Sequence, residues 1–261
     1  MWCPNGWKQP ESARNSGSYN IKFIYLAAKV NKMKSAIIFI LFLTVAIRGS
    51  FAQNIPEGYL LQYQQNFSSA KSLADFRVDD PSRWGIFKNN NNYYLQCSSP
   101  LAPNALPSNI AVVINKIMGD FILEADVMPV TDSAGNQEAC IFVGIRDSKY
   151  YFIQFSNVAD SNRHGIFLVR NSGISRITDD SLNPVAWNGS TWHKVRLERN
   201  IIRRTIRVFF DNMEIPLMQV KDYELVMGSV GFGTLAGTAR FDNVKIWAPT
   251  VLTEDELKSM E

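Results

Sequence analysis

Residues that usually carry redox, metal or nucleotide chemistry are scarce in this sequence. Its 261 residues include three cysteines and two histidines, and neither a Cys-x-x-Cys nor a His-x-x-x-His pair. A structural zinc site draws four Cys or His ligands from such spacings, so none can be assembled. Gly231, Gly233 and Gly237, in "GSVGFGTLAGTARFDNVKIW", approach the spacing of a phosphate loop, but no Lys-Ser/Thr pair and no helical period follow them. A phosphate loop hands its anion to the first amides of a helix, so the nucleotide reading fails on context. There is no basic tract either. Residues 1–52 hold seven of the 27 Lys/Arg and one of the 24 Asp/Glu, which leaves the rest of the chain at net −3. Nucleic acid is therefore not an expected partner, and the cluster Arg203, Arg204, Arg207 reads as the solvent face of a strand. The main apolar run, "SAIIFILFLTVAI" (35–47), is shorter than the roughly 20 residues that span a bilayer.

That run does have a reading. Met33 and Lys34 precede it, and the small-x-small sequence Ser50-Phe51-Ala52 follows. This is the layout of a secretory signal over 33–52, cleaved after Ala52. The product is expected to be secreted or periplasmic, with no membrane span left after cleavage. Residues 1–32 have no apolar period and no domain length, and are read as a non-native or disordered extension with translation starting at Met33. A long leader to the signal is the alternative. After cleavage only Cys97 and Cys140 remain. An oxidising destination permits a disulfide between them; two separate cysteines buried in strands are the other reading.

From residue 67 onward, short strand signals follow one another. "GDFILEADVMPV" alternates Phe121, Leu123, Ala125 and Val127 against Asp120, Ile122, Glu124 and Asp126, the period of a half-buried strand. "TWHKVRLERN" alternates in the same way, and turns are expected near Asp147-Ser148, Ser172-Gly173 and Asp211-Asn212. Helical periodicity is nearly absent, apart from a Thr253-x-x-Glu256 capping box in the tail. The expected organisation is an N-terminal arm over 53–66, one all-β domain, a sandwich or a barrel, over 67–249 and a short helical tail over 250–261. "GSVGFGT" and "ARFDNVKIW" are expected to form its closing hairpin, with Gly231 and Gly233 allowing close strand approach and Gly237 supporting the turn.

"GDFILEADVMP", "VGIRDSKYYFIQFS", "TWHKVRLER…TIRVFFDNMEI" and the closing segment, in this order along the chain, resemble laminin-G-like and concanavalin A-like domains. The nearest resemblance is to the secreted 3-keto-disaccharide hydrolase-type family, loosely grouped with family 16 glycoside hydrolases. It covers roughly Phe67 to Trp247 and implies a two-sheet antiparallel jelly roll, curved so that one sheet forms a concave groove. Fold alone does not give function. Family 16 enzymes place Glu-x-Asp-x-Glu on one strand, whereas this chain has only Glu124-x-Asp126 followed by Met128.

Two functions are carried forward. The first is a glycan-binding module for a polysaccharide or oligosaccharide; the second is a hydrolase of the same fold, with a structural or adhesion domain as a further alternative. In "KYYFIQFS", Tyr150, Phe152 and Gln154 share one face. Two rings and an amide suit a sugar, because rings stack on its C–H face and amides pair with its hydroxyls. Related domains often have His at the Gln154 position, and this departure removes an acid/base candidate. Arg146 and His164, beside the strand and in the loop after it, complete the expected ligand set. No cofactor is expected beyond a structural calcium, which the resemblance would place at Asp242; a hydrogen bond from Asp242 to turn amides is the other reading. Trp84 and Trp187 are read as exposed rings or core anchors, and Trp192 as core.

Overall fold

The computed structural model describes residues 55–78, 80–100, 110–132, 135–158, 160, 162–171, 173–178 and 183–260. The signal at 33–52 and the extension before it lie outside these. Among the described residues the chain forms fifteen strands in two antiparallel sheets. The first sheet runs, in spatial order, β13 (Met218–Lys221), β12 (Thr205–Phe210), β11 (His193–Asn200), β6 (Phe121–Val130), β15 (Ala236–Ala248), β4 (Asn92–Pro100) and β3 (Trp84–Asn89). The second runs β10 (Gly173–Arg176), β9 (Gly165–Arg170), β8 (Lys149–Ser156), β7 (Glu138–Arg146), β14 (Ser229–Gly233), β5 (Ile110–Val113) and β2 (Phe76–Val78). β1 (Leu60–Gln65), in the segment read as an arm, pairs with the second half of β15. The capping box at Thr253 and Glu256 is formed and opens helix α1 (Glu254–Lys258). No helix among the described residues is long and apolar enough to cross a membrane.

The core lies between the sheets and follows the period of two. Phe121, Leu123, Ala125 and Val127 of β6 face it at 1% exposure or less, as do Tyr151, Ile153 and Phe155 of β8. Trp84 and Trp187 are both buried in this core. The phase of β15 changes midway. Ala239 and Phe241 point inward before Asp242, and Val244, Ile246 and Ala248 after it. A bulge causes the change: Asp242 faces Asp126 and Lys245 faces Glu124, so two β15 residues oppose one on β6. Asn243 takes the left-handed backbone conformation there, φ 50°, which asparagine tolerates better than most residues.

The expected closing hairpin is not formed. β14 belongs to the second sheet and β15 to the first, and Thr234-Leu235 cross between them. Strand alternation is identical in a hairpin and in a crossing corner, so the sequence pattern could not separate the two. Gly231 does serve close approach: a Cβ there would lie 2.7 Å from Ile110 Cγ2 and 3.0 Å from the Ala111 carbonyl oxygen. Gly237, with φ +81°, sits inside β15 opposite Ser99 rather than in a turn.

Candidate functional site

The outward positions of the first sheet carry aromatic and polar side chains. On β11, His193, Val195 and Leu197 are buried on one side, so Trp192 shares the other with Lys194, Arg196 and Glu198. Trp192 is thus not in the core but half-exposed on the outer face. Its ring meets Tyr94 edge-on, with centroids 5.8 Å apart. Phe87 stacks on Tyr94 at 6.4 Å, and the Arg240 guanidinium lies 5.1 Å from the Tyr94 centroid. The β3–β4 turn, with Asn90 at φ 49°, brings a run of asparagines up beside these rings. The result is an open pocket of about 390 Å³ lined by Asn89, Asn90, Asn91, Asn92, Tyr94, Met128 and Trp192.

Behind this pocket sits a polar relay. Asn92 Nδ2 donates to Asp242 Oδ2 (2.9 Å), and the Asn243 amide donates to Asp242 Oδ1 (2.7 Å). Asn243 Nδ2 in turn donates to Asp126 Oδ2 (2.8 Å), whose other oxygen accepts from Lys194 Nζ (3.1 Å). Asp242 is 2% exposed. Burial, assisted by the Asp126 charge, raises its pKa. Both Asp242 oxygens thus accept N–H groups, the arrangement of a carboxylate holding a bulge. Among the described residues, no three His, Cys, Asp or Glu side chains converge as a metal would require.

Tyr150, Phe152 and Gln154 share the outer face of the second sheet, as their alternation implies. Phe152 stacks on Phe167 at 4.7 Å and approaches Phe142 at 6.0 Å, within an apolar cluster that includes Ile110 and Val112. The three expected ligand residues are closed off, at 8%, 1% and 1% exposure respectively. Burial pushes the Tyr150 hydroxyl up to about 12. Gln154 Nε2 donates to Glu138 Oε2 (2.8 Å), and Thr234 Oγ1 donates to Glu138 Oε1 (3.0 Å). Gln154 Oε1 is buried without a hydrogen-bond partner. Sequence reasoning missed Glu138 and Thr234; the first opens β7 and the second directly follows β14, and only the sheet register brings them to Gln154.

Arg146 and His164 do not join this face. A bulge at Gly144 (φ +66°) turns Ile145 onto the apolar cluster, while Arg146 lies exposed opposite Lys149 at the hairpin end. His164 is fully buried at the start of β9 and accepts from the Ser156 amide through Nδ1 (3.3 Å). Burial, assisted by the Arg176 charge, lowers its pKa to about 4, so it is neutral at pH 7. Cys97 and Cys140 are both buried and unlinked, and burial pushes the Cys97 thiol up to about 12.

No family model matches the chain, and no curated protein matches it in sequence. The fold has counterparts among solved structures. A carbohydrate-binding module from Bacillus subtilis, CBM66, aligns with a TM-score of 0.50 at 14% identity, over 67% of this chain and 96% of the module. A xylan β-1,4-xylosidase from Bacillus halodurans C-125 aligns at 0.52 and 12% identity, over 75% of this chain and 41% of the enzyme. The GH43 protein BlXynB from Bacillus licheniformis aligns at 0.52 and 12%, over 71% of this chain and 39% of that protein. At such identities the likeness is one of fold: this chain is a two-sheet antiparallel jelly-roll sandwich of the kind found in a carbohydrate-binding module and within glycoside hydrolase chains.

Proposed function

We propose that this chain is a glycan-binding module that holds a polysaccharide or oligosaccharide at the Tyr94–Trp192 pocket without cleaving it. One observation carries this reading: two aromatic rings and a run of asparagine amides converge on a single open pocket. Rings offer an apolar surface to the C–H face of a pyranose, and amides both donate to and accept from its hydroxyls. The volume falls within the roughly 300–1,000 Å³ of small-ligand sites. Hydrolysis would need two carboxylates flanking the scissile bond. Asp126 and Asp242 are neighbours across the sheet, yet neither lines the pocket, and Asp242 is screened by Asn92.

A second surface is favoured by a different observation. The unpartnered Gln154 Oε1, buried beside Glu138, would accept a hydrogen bond from a sugar hydroxyl once the side chains covering it move aside. A glycan array on the purified protein, with Trp192→Ala and Gln154→Ala in parallel, separates the two surfaces. Binding lost in Trp192→Ala and kept in Gln154→Ala is expected, with no reducing ends released from polysaccharides. The opposite pattern moves the site to the second sheet. No binding by the folded wild type refutes the glycan reading, and released reducing ends refute binding without cleavage.

A further inference from the structure

A second pocket lies at the other end of β11 and shares no residue with the first. Its volume is about 190 Å³, and it is lined by Arg199, Ile201, Ile202, Asp222, Tyr223 and Val226. Arg199 ends the inward row His193, Val195, Leu197 and is 3% exposed. Its guanidinium lies over the Tyr151 ring, 5.1 Å from the centroid, and Nη2 donates to the Leu225 carbonyl. Nε and Nη1 are buried and find no acceptor. An unmet donor on a buried cation is costly, because the group gives up water without replacement.

The nearby acidic groups are committed elsewhere. Asp222 Oδ1 accepts from the Tyr151 hydroxyl and from the Glu224 amide, and Asp120 Oδ1 accepts from the Ile201 amide. Burial lowers the Arg199 pKa, outweighing the support of Tyr151, which lies against the guanidinium, and of the Asp222 and Asp120 charges. No carboxylate among the described residues comes within ion-pair distance of it. The rim has a different character. Ile202, Tyr223 and Val226 are 85%, 66% and 54% exposed, and Arg204 stacks on the Tyr223 ring at 4.6 Å, adding a second positive charge at the mouth.

We propose that this pocket binds a carboxylate carried on an apolar-flanked carbon skeleton, with Arg199 as its counter-charge. Nε and Nη1 each lie beside Nη2 rather than beside each other, so a carboxylate would pair with one of them together with the remaining Nη2 hydrogen. Ile201, Ile202 and Val226 would cover the attached carbons. A free organic acid and a terminal uronate share this chemistry. The site stands independently of the Tyr94–Trp192 pocket, so either can fail alone.

The test is the thermal midpoint of the purified protein in sodium galacturonate, sodium acetate, galactose and sodium chloride, the salts at matched ionic strength. Galacturonate is expected to raise the midpoint by roughly 5–10 °C at about 100 times its Kd, with no rise in galactose or chloride. An equal rise in acetate assigns the site to free carboxylates, and a larger one in galacturonate assigns it to acidic sugars. Arg199→Met keeps the apolar stem and removes the charge; its affinity for the carboxylate should fall about 10- to 100-fold. Should that variant not fold, Ile202→Asp at the exposed rim sets a like charge at the mouth and should weaken binding in the same direction. An identical midpoint in all four solutions, or a carboxylate shift that survives both substitutions, overturns the proposal.

Discussion

His164 sits fully buried with its pKa lowered from 6.5 to about 4. In the unfolded chain it takes up a proton near its ordinary value, so between those two values the unfolded state binds more protons than the folded one. Stability contributed by neutral His164 is therefore complete at pH 7, falls as pH drops through 6.5, and stops falling below about 4. A shift of this size makes the histidine's share of the loss at pH 4.5 about 2–3 kcal/mol. Carboxylates titrate over the same range, so the measurement is a difference. Urea unfolding of wild type and His164→Gln should be followed at pH 7.5 and pH 4.5. Glutamine stays neutral and can still accept from the Ser156 amide. The wild type should lose about 2–3 kcal/mol more than the variant on acidification, while glycan binding at pH 7.5 should be the same for both. Parallel losses would show that His164 does not titrate as its burial implies. Loss of binding in the variant at pH 7.5 would return the residue to the ligand set expected from sequence.

Three further outcomes can be checked by the same urea method or by melting. Asn243→Ala should cost about 1–2 kcal/mol, because alanine is strained at a left-handed backbone position and the bond to Asp126 disappears; Asn243→Gly, which relieves the backbone, should cost less. Gly231→Ala should cost about 1–3 kcal/mol by forcing a methyl against Ile110 and the Ala111 carbonyl, and an unchanged midpoint would mean that the strands part without penalty. Calcium should leave the melting temperature unchanged, since both Asp242 oxygens already accept N–H groups. A calcium-dependent rise abolished by Asp242→Asn would establish an ion there.

Period-two alternation carries information about one strand at a time. It sorted the inward and outward residues of β6 and β8, and it located the turns at Asp147 and Asp211, both of which take positive φ. The same alternation already placed Trp192 with Lys194, Arg196 and Glu198; charged companions on a face are the signal that its ring points outward, against the usual pull of tryptophan to the core. What could not be read was how strands combine. Tyr94 and Trp192 lie nearly a hundred residues apart and meet only because β4, β15, β6 and β11 stand side by side. Glu138, Gln154 and Thr234 meet for a similar reason, through the register of β7, β8 and β14. The bulge that flips β15 was also hidden, because it depends on a single backbone angle at Asn243. Arg199 looked like one more basic residue on a strand, and only three-dimensional burial sets it apart.

β1 leaves the ribosome well over 150 residues ahead of its partner β15: Leu60 pairs with Ala248 and Gln65 with Val244. β15 also separates β4 from β6, so the middle of the first sheet stays unfilled until it arrives. At about 5–20 residues per second, synthesis leaves an interval on the order of 10–40 s in which this sheet cannot close. Contacts this far apart in sequence also form slowly once they become possible. The strand order thus acts as a timer. It holds this sheet short of its native state for that interval, and any process that must act on an unfolded polypeptide has that interval in which to act.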